Sequence, residues 1–219
     1  VDCARLKPDA DATVVLPGGA TLSRADEVLT YVARNLEPYR GFHSFMRALP
    51  EVLARRPEAH VLVVGGDGVS YGGRAPDDKT WRDVMLAEVG PLPDRVHFMS
   101  HLAYADYVKV LQVSSVHAYL TYPFVLSWAM LEAMATGAYV VGSATPPVQD
   151  VITDGVNGRL ADFFDIPALA ATLATALADG NAVDGIRAAA RQTIQTKYNL
   201  SDMLMRQISL IDRLAGVAR

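Results

Sequence analysis

The chain has 219 residues, of which 51% are hydrophobic and 20% are charged, and its formal net charge is −4. This length and composition fit a globular protein of one large domain or two small ones, and they exclude a disordered chain. No Lys/Arg-rich run occurs, which argues against nucleic-acid binding, and the single cysteine, Cys3, excludes an intramolecular disulfide and a multi-cysteine metal site.

Short apolar runs alternate with helical patterns over the first two thirds of the chain. Continuous apolar runs are typical of strands buried on both faces, and they occur here at 28–33, 61–65, 96–99, 116–120 and 139–142. Apolar residues at helical spacing predict helices between these strands near 42–53, 81–85 and 107–111. This alternation predicts an α/β fold with a doubly wound, Rossmann-like parallel sheet, followed by extra C-terminal helices at 166–178, 181–198 and 201–217.

In doubly wound sheets ligands bind beyond the carboxyl ends of the strands, so the loops after the strands are the candidate sites. The loop after the first strand carries Arg34 and Arg40 beside a predicted helix start. Two guanidiniums at such a turn suit a diphosphate, because the free amides and the helix dipole already favour an anion. The alternative is that both are solvated surface arginines.

The loop after the second strand is rich in glycine and includes Gly65, Gly66, Asp67 and Gly68. Glycines let the backbone approach a ligand closely, but their spacing matches neither a dinucleotide fingerprint nor a phosphate-binding loop of the Gly-Lys-Ser/Thr kind. None of the five histidines has metal-ligand spacing, and only His101 lies in a candidate loop. Histidine spacing therefore points to no metal site.

Glu132 is the only acid in the apolar run 127–137, and no basic residue lies three or four positions from it. Burying an unpaired carboxylate costs several kcal/mol, so an acid in apolar surroundings usually has a specific partner. We predict that this carboxylate is aimed at ligand hydroxyls. The alternative is a solvated position at a helix edge.

In this order, these residues resemble the carboxyl-terminal, donor-binding half of glycosyltransferase family 4, whose members have the GT-B fold. The resemblance covers nearly the whole chain. It is carried by Val1-Asp2 with Pro8, Val32-Ala33-Arg34 with Arg40-Gly41, Val63-Val64-Gly65-Gly66-Asp67-Gly68, Val96-His97-Phe98, Leu131-Glu132-Ala133-Met134-Ala135-Thr136-Gly137 and Asp154-Gly155-x-Asn157-Gly158. It implies an interdomain linker or lead-in segment over 1–27 and a nucleotide-sugar-binding domain over 28–219.

The resemblance also implies a role for each matched position. Arg34 and Arg40 would hold the diphosphate of a nucleotide-diphospho-sugar, and Glu132 would accept hydrogen bonds from the ribose hydroxyls. The remaining contacts would come from the glycine-rich loop at 65–68, from a base-reading loop of Ser100, His101 and Leu102, and from a sugar or phosphate loop of Phe124, Val125, Leu126 and Ser127.

Family members are retaining glycosyltransferases that need no metal, because cationic side chains and helix amides stabilise the leaving diphosphate. The resemblance therefore implies no metal ion and no other cofactor. Their acceptor binds to an amino-terminal GT-B domain, which we expect to be the partner that this chain lacks, since it begins at Val1 rather than methionine. We expect the fragment to fold and to bind nucleotide weakly without turnover. We expect no transmembrane segment, because no apolar stretch approaches the ~20 residues needed to span a bilayer. The single cysteine fits a reducing compartment, so we expect a cytoplasmic protein, with any peripheral membrane contact made through the missing domain.

The chain departs from the family pattern in the sugar loop. Phe124 stands where family members usually carry a second glutamate that contacts the donor sugar, and 125–128 replace a glycine-rich stretch. The base, the sugar and the acceptor therefore stay open. Two alternatives also stay open: a degenerate, non-catalytic glycan-binding or scaffold half of a GT-B protein, and a GT-B enzyme resembling a nucleotide-sugar epimerase or a phosphorylase.

Overall fold

A computed structural model describes residues 1–216 as a six-stranded parallel sheet between two layers of helices, with a separate two-stranded hairpin. The strands are β1 (Thr13–Val15), β2 (Thr21–Ser23), β3 (Val28–Asn35), β4 (His60–Gly66), β5 (Val96–Phe98), β6 (Val116–Tyr119), β7 (Tyr139–Ser143) and β8 (Arg159–Ala161). The helices are α1 (Phe42–Arg55), α2 (Trp81–Val89), α3 (Tyr104–Val113), α4 (Trp128–Ala135), α5 (Pro146–Gln149), α6 (Ile166–Ala178), α7 (Asp184–Lys197) and α8 (Leu200–Leu214).

The sheet runs in the order β5-β4-β3-β6-β7-β8, and every neighbouring pair is parallel. The chain moves outward from β3 to β5 and then returns to lay β6 on the other side of β3. Successive loops therefore diverge at the carboxyl ends of β3 and β6, which is where such sheets open a ligand crevice. The prediction of a Rossmann-like doubly wound sheet is confirmed, and β8 adds a sixth strand to the five predicted ones.

The two faces of the sheet pack against different helices, as the continuous apolar character of the strands predicts. Leu29 and Tyr31 of β3 point into a core shared with α1, α2 and α6. Val28 belongs to a core on the opposite face, where the β1–β2 hairpin and α3 pack. The ring of Tyr31 stacks on Phe45 at 4.8 Å, and its hydroxyl donates to the carbonyl oxygen of Arg40 at 2.7 Å. Tyr31 thereby ties the loop after β3 to the core.

Residues 1–27, predicted as a lead-in segment, pack along the domain that follows them. Leu6 is buried in a core shared with α4 and α7, and its carbonyl oxygen accepts a hydrogen bond from Arg191 at 3.1 Å. The ammonium group of Val1 donates to the carbonyl oxygen of Tyr198 at 2.7 Å. The β1–β2 hairpin completes this segment and lies against α3; the sequence analysis did not predict it.

The three C-terminal helices lie close to their predicted positions. A short 3-10 turn, Gly180–Val183, precedes α7, so that helix begins three residues later than predicted. α8 ends at Leu214, and the predicted end at position 217 lies outside the described residues. α8 buries none of its side chains, although Leu204, Met205 and Ile211 are apolar. Within residues 1–216, every helix is too short or too polar to cross a bilayer.

Candidate functional site

A crevice of about 190 Å³ opens at the carboxyl edge of the sheet, beside the ends of β3 and β4. It is lined by Val32, Ala33, Arg34, Val64, Gly65, Ser100, His101, Leu102, Tyr107, Ser127 and Ala129. The fold thus brings together an arginine at the end of β3, the loop after β5, one residue of α3 and the start of α4. Four separate sequence-predicted groups meet here: Arg34, Gly65 of the glycine-rich loop, the predicted base-reading loop at 100–102, and Ser127.

The two predicted diphosphate arginines lie in different environments. Arg34 is exposed and lines the crevice at the end of β3. Arg40 is buried, and its Nη1 donates to the carbonyl oxygen of Val125 at 2.8 Å and to the hydroxyl of Thr121 at 3.3 Å. Arg34 is therefore available to an anion in the crevice, whereas Arg40 holds the loop that leads into α4.

The guanidinium of Arg40 also lies over two aromatic rings, 5.0 Å from the centroid of Tyr71 and 5.4 Å from that of Phe124. The Phe124 ring packs edgewise against Tyr71 at 5.1 Å and against Tyr39 at 5.9 Å. Loops after β3, β4 and β6 meet at this point. Tyr39, Tyr71 and Phe124 therefore form an aromatic wall around Arg40, and Phe124 stands where the resemblance implies a glutamate.

Glu132 lies on α4 and is half-buried, with a tyrosine hydroxyl on each carboxylate oxygen. Tyr104 donates to Oε1 at 2.9 Å, and Tyr107 donates to Oε2 at 2.6 Å. Both tyrosines belong to α3, so the partners of this acid come from another element and were missed in the sequence. Glu132 does not line the crevice itself and reaches it through the ring of Tyr107.

Both phenols keep their protons at neutral pH. Burial, followed by the hydrogen bond to Glu132, raises the pKa of Tyr104 to about 12. Burial raises the pKa of Tyr107 still further above its ordinary value, and the charge of Glu132 adds to this effect. Each tyrosine therefore acts as a hydrogen-bond donor to the carboxylate.

The loop after β5 takes its shape from a close contact with the glycine-rich loop. Ser100 has a left-handed backbone with φ of 51°, and its carbonyl oxygen accepts from the amide of Gly65 at 3.1 Å. A Cβ at Gly66 would lie only 2.1 Å from Cε1 of His101, so the ring needs glycine at that position. The glycine-rich loop therefore shapes the predicted base-reading loop.

Glu37 was missed by the sequence analysis, although it lies in the candidate loop 34–41. Its side chain is fully buried, and its Oε2 accepts hydrogen bonds from the amides of Ser70, Tyr71 and Gly72 at 3.0–3.2 Å. Its position between Arg34 and Arg40, in the loop after β3, is the sequence signal that could have pointed to it. Glu37 holds the second half of the glycine-rich loop against the loop after β3. Asp67, in the first half, lies 3.4 Å from Arg82 instead.

The start of α4 presents the positive end of a helix to the crevice. The hydroxyl of Ser127 accepts from the amide of Ala129 at 3.3 Å, and the Ser127 amide donates to the hydroxyl of Tyr119 at 2.7 Å. Free first-turn amides and the helix dipole favour an anion at such a terminus. Val125 and Trp128 beside it are about two-thirds exposed. The site thus offers the exposed guanidinium of Arg34, the amino terminus of α4 and the carboxylate of Glu132. Together these groups suit a phosphorylated ligand with hydroxyl groups.

In the part of the chain that the structure describes, no three His, Cys, Asp or Glu side chains cluster closely enough to hold a metal ion. Glu37, Asp67 and Glu132 each have protein partners of their own.

The sequence model of the family described as glycosyl transferases group 1 matches residues 20–193, which is most of the chain. The chain is 30% identical over 182 residues to a D-inositol 3-phosphate glycosyltransferase of Mycobacterium sp. strain KMS, covering 80% of this chain and 39% of that protein. It is 26% identical over 198 residues to a phosphatidyl-myo-inositol mannosyltransferase of Mycolicibacterium smegmatis, covering 88% and 47% respectively. The chain spans less than half the length of these two relatives.

The fold is similar to that of sucrose-phosphate synthase from Thermosynechococcus elongatus, with a TM-score of 0.78 and 22% identity over 100% of this chain and 52% of that chain. An Anabaena protein solved in complex with UDP-glucose has a TM-score of 0.71 and 20% identity, over 86% and 49%. The C-terminal domain of a glycosyl transferase group 1 family protein from Francisella tularensis has a TM-score of 0.71 and 17% identity, over 91% and 99%. At these identities, the likeness shows the fold alone.

Proposed function

This chain belongs to the glycosyl transferases group 1 family, and from that premise we propose that it is the donor-binding, carboxyl-terminal half of a retaining GT-B glycosyltransferase of family 4. Its ligand would be a nucleotide-diphospho-sugar. An amino-terminal domain would supply the acceptor site, with transfer in the cleft between the two halves. The match to nearly the whole of a C-terminal domain supports this placement.

One observation carries the proposal: the crevice at the carboxyl edge joins Arg34, the loop at 100–102 and the start of α4. A nucleoside diphosphate has three parts that need different partners. The crevice offers partners for two of them, and Glu132, behind the ring of Tyr107, offers one for the third. The exposed guanidinium of Arg34 and the amides of α4 suit the diphosphate, because both favour negative charge. The backbone of 100–102 would face the base, and Glu132 would accept from the ribose hydroxyls.

The same groups would assist the reaction. When the bond between the sugar and the diphosphate breaks, negative charge develops on the leaving phosphate, and preorganised donors stabilise it. Arg34 and the first turn of α4 would supply that stabilisation without a metal ion. Arg40 would act from beneath the loop after β6 by holding Thr121 and Val125 in place.

The aromatic wall favours a second candidate, a non-catalytic half that binds a glycan. Phe124 replaces the glutamate that family members usually present to the donor sugar, and its ring is fixed by Tyr39, Tyr71 and Arg40. Aromatic rings with exposed faces suit the apolar faces of sugar rings. This protein would then bind an oligosaccharide and bind nucleotides poorly.

Thermal unfolding with UDP, GDP, ADP and their sugar conjugates separates the two candidates. A ligand at a hundred times its dissociation constant stabilises the native state by about 2.7 kcal/mol. We expect at least one nucleotide to stabilise the wild type and to lose that effect in Glu132→Ala. Glu58→Ala, which removes an exposed acid elsewhere, is the matched control. Stabilisation by an oligosaccharide and by none of the nucleotides would overturn the donor-binding proposal.

A further inference from the structure

We propose that Tyr104 and Tyr107 are positioning residues that orient the Glu132 carboxylate, and that this carboxylate, beside the crevice and behind the ring of Tyr107, thereby distinguishes ribose from deoxyribose. This inference rests on the proposed function and extends it to two residues on α3. It starts from the finding that each oxygen of Glu132 has its own phenol donor.

The two hydrogen bonds leave each oxygen of Glu132 able to accept a further hydrogen bond. An ionised carboxylate has about four lone-pair sites on its two oxygens, so one phenol on each oxygen leaves about one site per oxygen. The vicinal hydroxyls of ribose are a pair of donors, and one can bond to each oxygen. A deoxyribose lacks one of these hydroxyls. One oxygen of Glu132, which has already lost part of its hydration, is then left without a ligand donor.

The phenols are themselves held in place. Tyr104 and Tyr107 are three residues apart on one helix, so they project from the same face, and their ring centroids are 5.7 Å apart. The guanidinium of Arg5 lies 4.7 Å from the centroid of the Tyr104 ring. Tyr107 is half-buried and lines the crevice. Arg5, from the segment 1–27, therefore packs on the ring of Tyr104, and α3 fixes the spacing of the two tyrosines.

The direction of both bonds is set by their charge states. The pKa of each phenol lies above its ordinary value, mainly because of burial, so each hydroxyl keeps its proton and donates. Charge-assisted bonds of this kind are shorter and stronger than neutral ones. Without them, the flexible glutamate side chain would sample other rotamers and present its oxygens to a ligand only part of the time.

The test is the ratio of affinities for UDP, GDP and ADP to those for their 2′-deoxy counterparts, measured by titration calorimetry. For the ribonucleotide that binds the wild type, we expect Tyr107→Phe to weaken binding about tenfold, as the loss of a bond to a charged group does. Binding of the matching deoxynucleotide should change much less, so the ratio falls. Tyr104→Phe should lower the ratio in the same direction.

Tyr198→Phe is the matched control, because it removes a phenol hydroxyl from the turn before α8 and should leave the ratio unchanged. Tyr104 is exposed, so its variant keeps the test valid if Tyr107→Phe fails to fold. A wild type that prefers ribonucleotides while both phenylalanine variants keep that preference would overturn this inference and leave the proposed function standing. A wild type that binds none of the nucleotides would overturn both.

Discussion

The ring of His101 lies directly against Gly66, where a Cβ would approach Cε1 to 2.1 Å and Nε2 to 2.8 Å. The loop after β5 can thus pack against the end of β4, because Gly66 has no side chain. Asn35 adds to the crowding, because its Oδ1 would lie 2.8 Å from the same Cβ. The shape of the predicted base-reading loop therefore depends on a glycine that precedes it by 35 residues.

Gly66→Ala should therefore destabilise the protein by about 1–3 kcal/mol, because forcing atoms into a packed site shifts its neighbours. Urea unfolding measures the change. His101→Ala in the same chain removes the closest clash, so the double variant should recover part of the loss. Gly73→Ala is the control, because a Cβ there meets nothing within 4 Å. An equal cost in the presence and absence of His101 would show that this contact is not the cause.

Glu37→Ala should destabilise the protein by about 3 kcal/mol or more, because it leaves the amides of Ser70, Tyr71 and Gly72 without their shared acceptor. Limited proteolysis should then cut within 68–74 faster than in the wild type. Glu37→Gln should cost less, since its amide oxygen can still accept. If Glu37→Ala behaves like Glu58→Ala, the carboxylate does not hold the loop.

Mutation of Arg34 should mainly change ligand affinity, whereas mutation of Arg40 should mainly change the free energy of unfolding. Arg34→Ala should leave the free energy of unfolding within about 0.5 kcal/mol of the wild-type value, as for most surface positions, and should weaken nucleoside diphosphate binding. Arg40→Ala should lower it by about 2 kcal/mol or more, because Val125 and Thr121 lose a buried charged donor. Urea unfolding and calorimetric titration on the same samples test both. A stable Arg40→Ala that loses only nucleotide affinity would contradict the anchoring role.

Stability should fall as the pH drops below about 6.5, in part because of His117. Burial lowers the pKa of this fully buried histidine to about 3, while the unfolded chain keeps a value near the ordinary 6.5. In this window the unfolded state binds more protons, so stability rises with pH. The contribution is complete above about pH 6.5, has lost about 2 kcal/mol at pH 5, and disappears as the pH approaches about 3.

The contribution of His117 is isolated by comparing urea unfolding of wild type and His117→Gln at pH 7.5 and pH 5.0. His43 and His97 also have lowered pKa values because of burial, so both proteins should lose stability in acid. His117→Gln should be less stable at pH 7.5 but lose about 2 kcal/mol less than wild type between the two conditions. Identical pH dependence would show that His117 does not titrate in this way.

The apolar runs determined the five main strands, because a strand buried on both faces needs apolar residues at successive positions whichever helices cover it. The run at 28–33 became Val28–Asn35, and the run at 139–142 became Tyr139–Ser143. Arg159–Ala161 and the two hairpin strands were not predicted, and they form because neighbouring backbone groups pair with them.

The sequence by itself also determined where chemistry could occur, since strand ends and the loops after them can be located from patterning alone. Only the tertiary structure decided what each residue does there. Arg34 and Arg40 are alike in sequence, yet one is exposed and the other is buried, because Val125 and Thr121 come from a distant loop. Glu132 has no local partner, because its two donors lie on α3. Hydrogen bonds and burial depend on distances in space, and these distances cannot be read from the separation of residues along the chain.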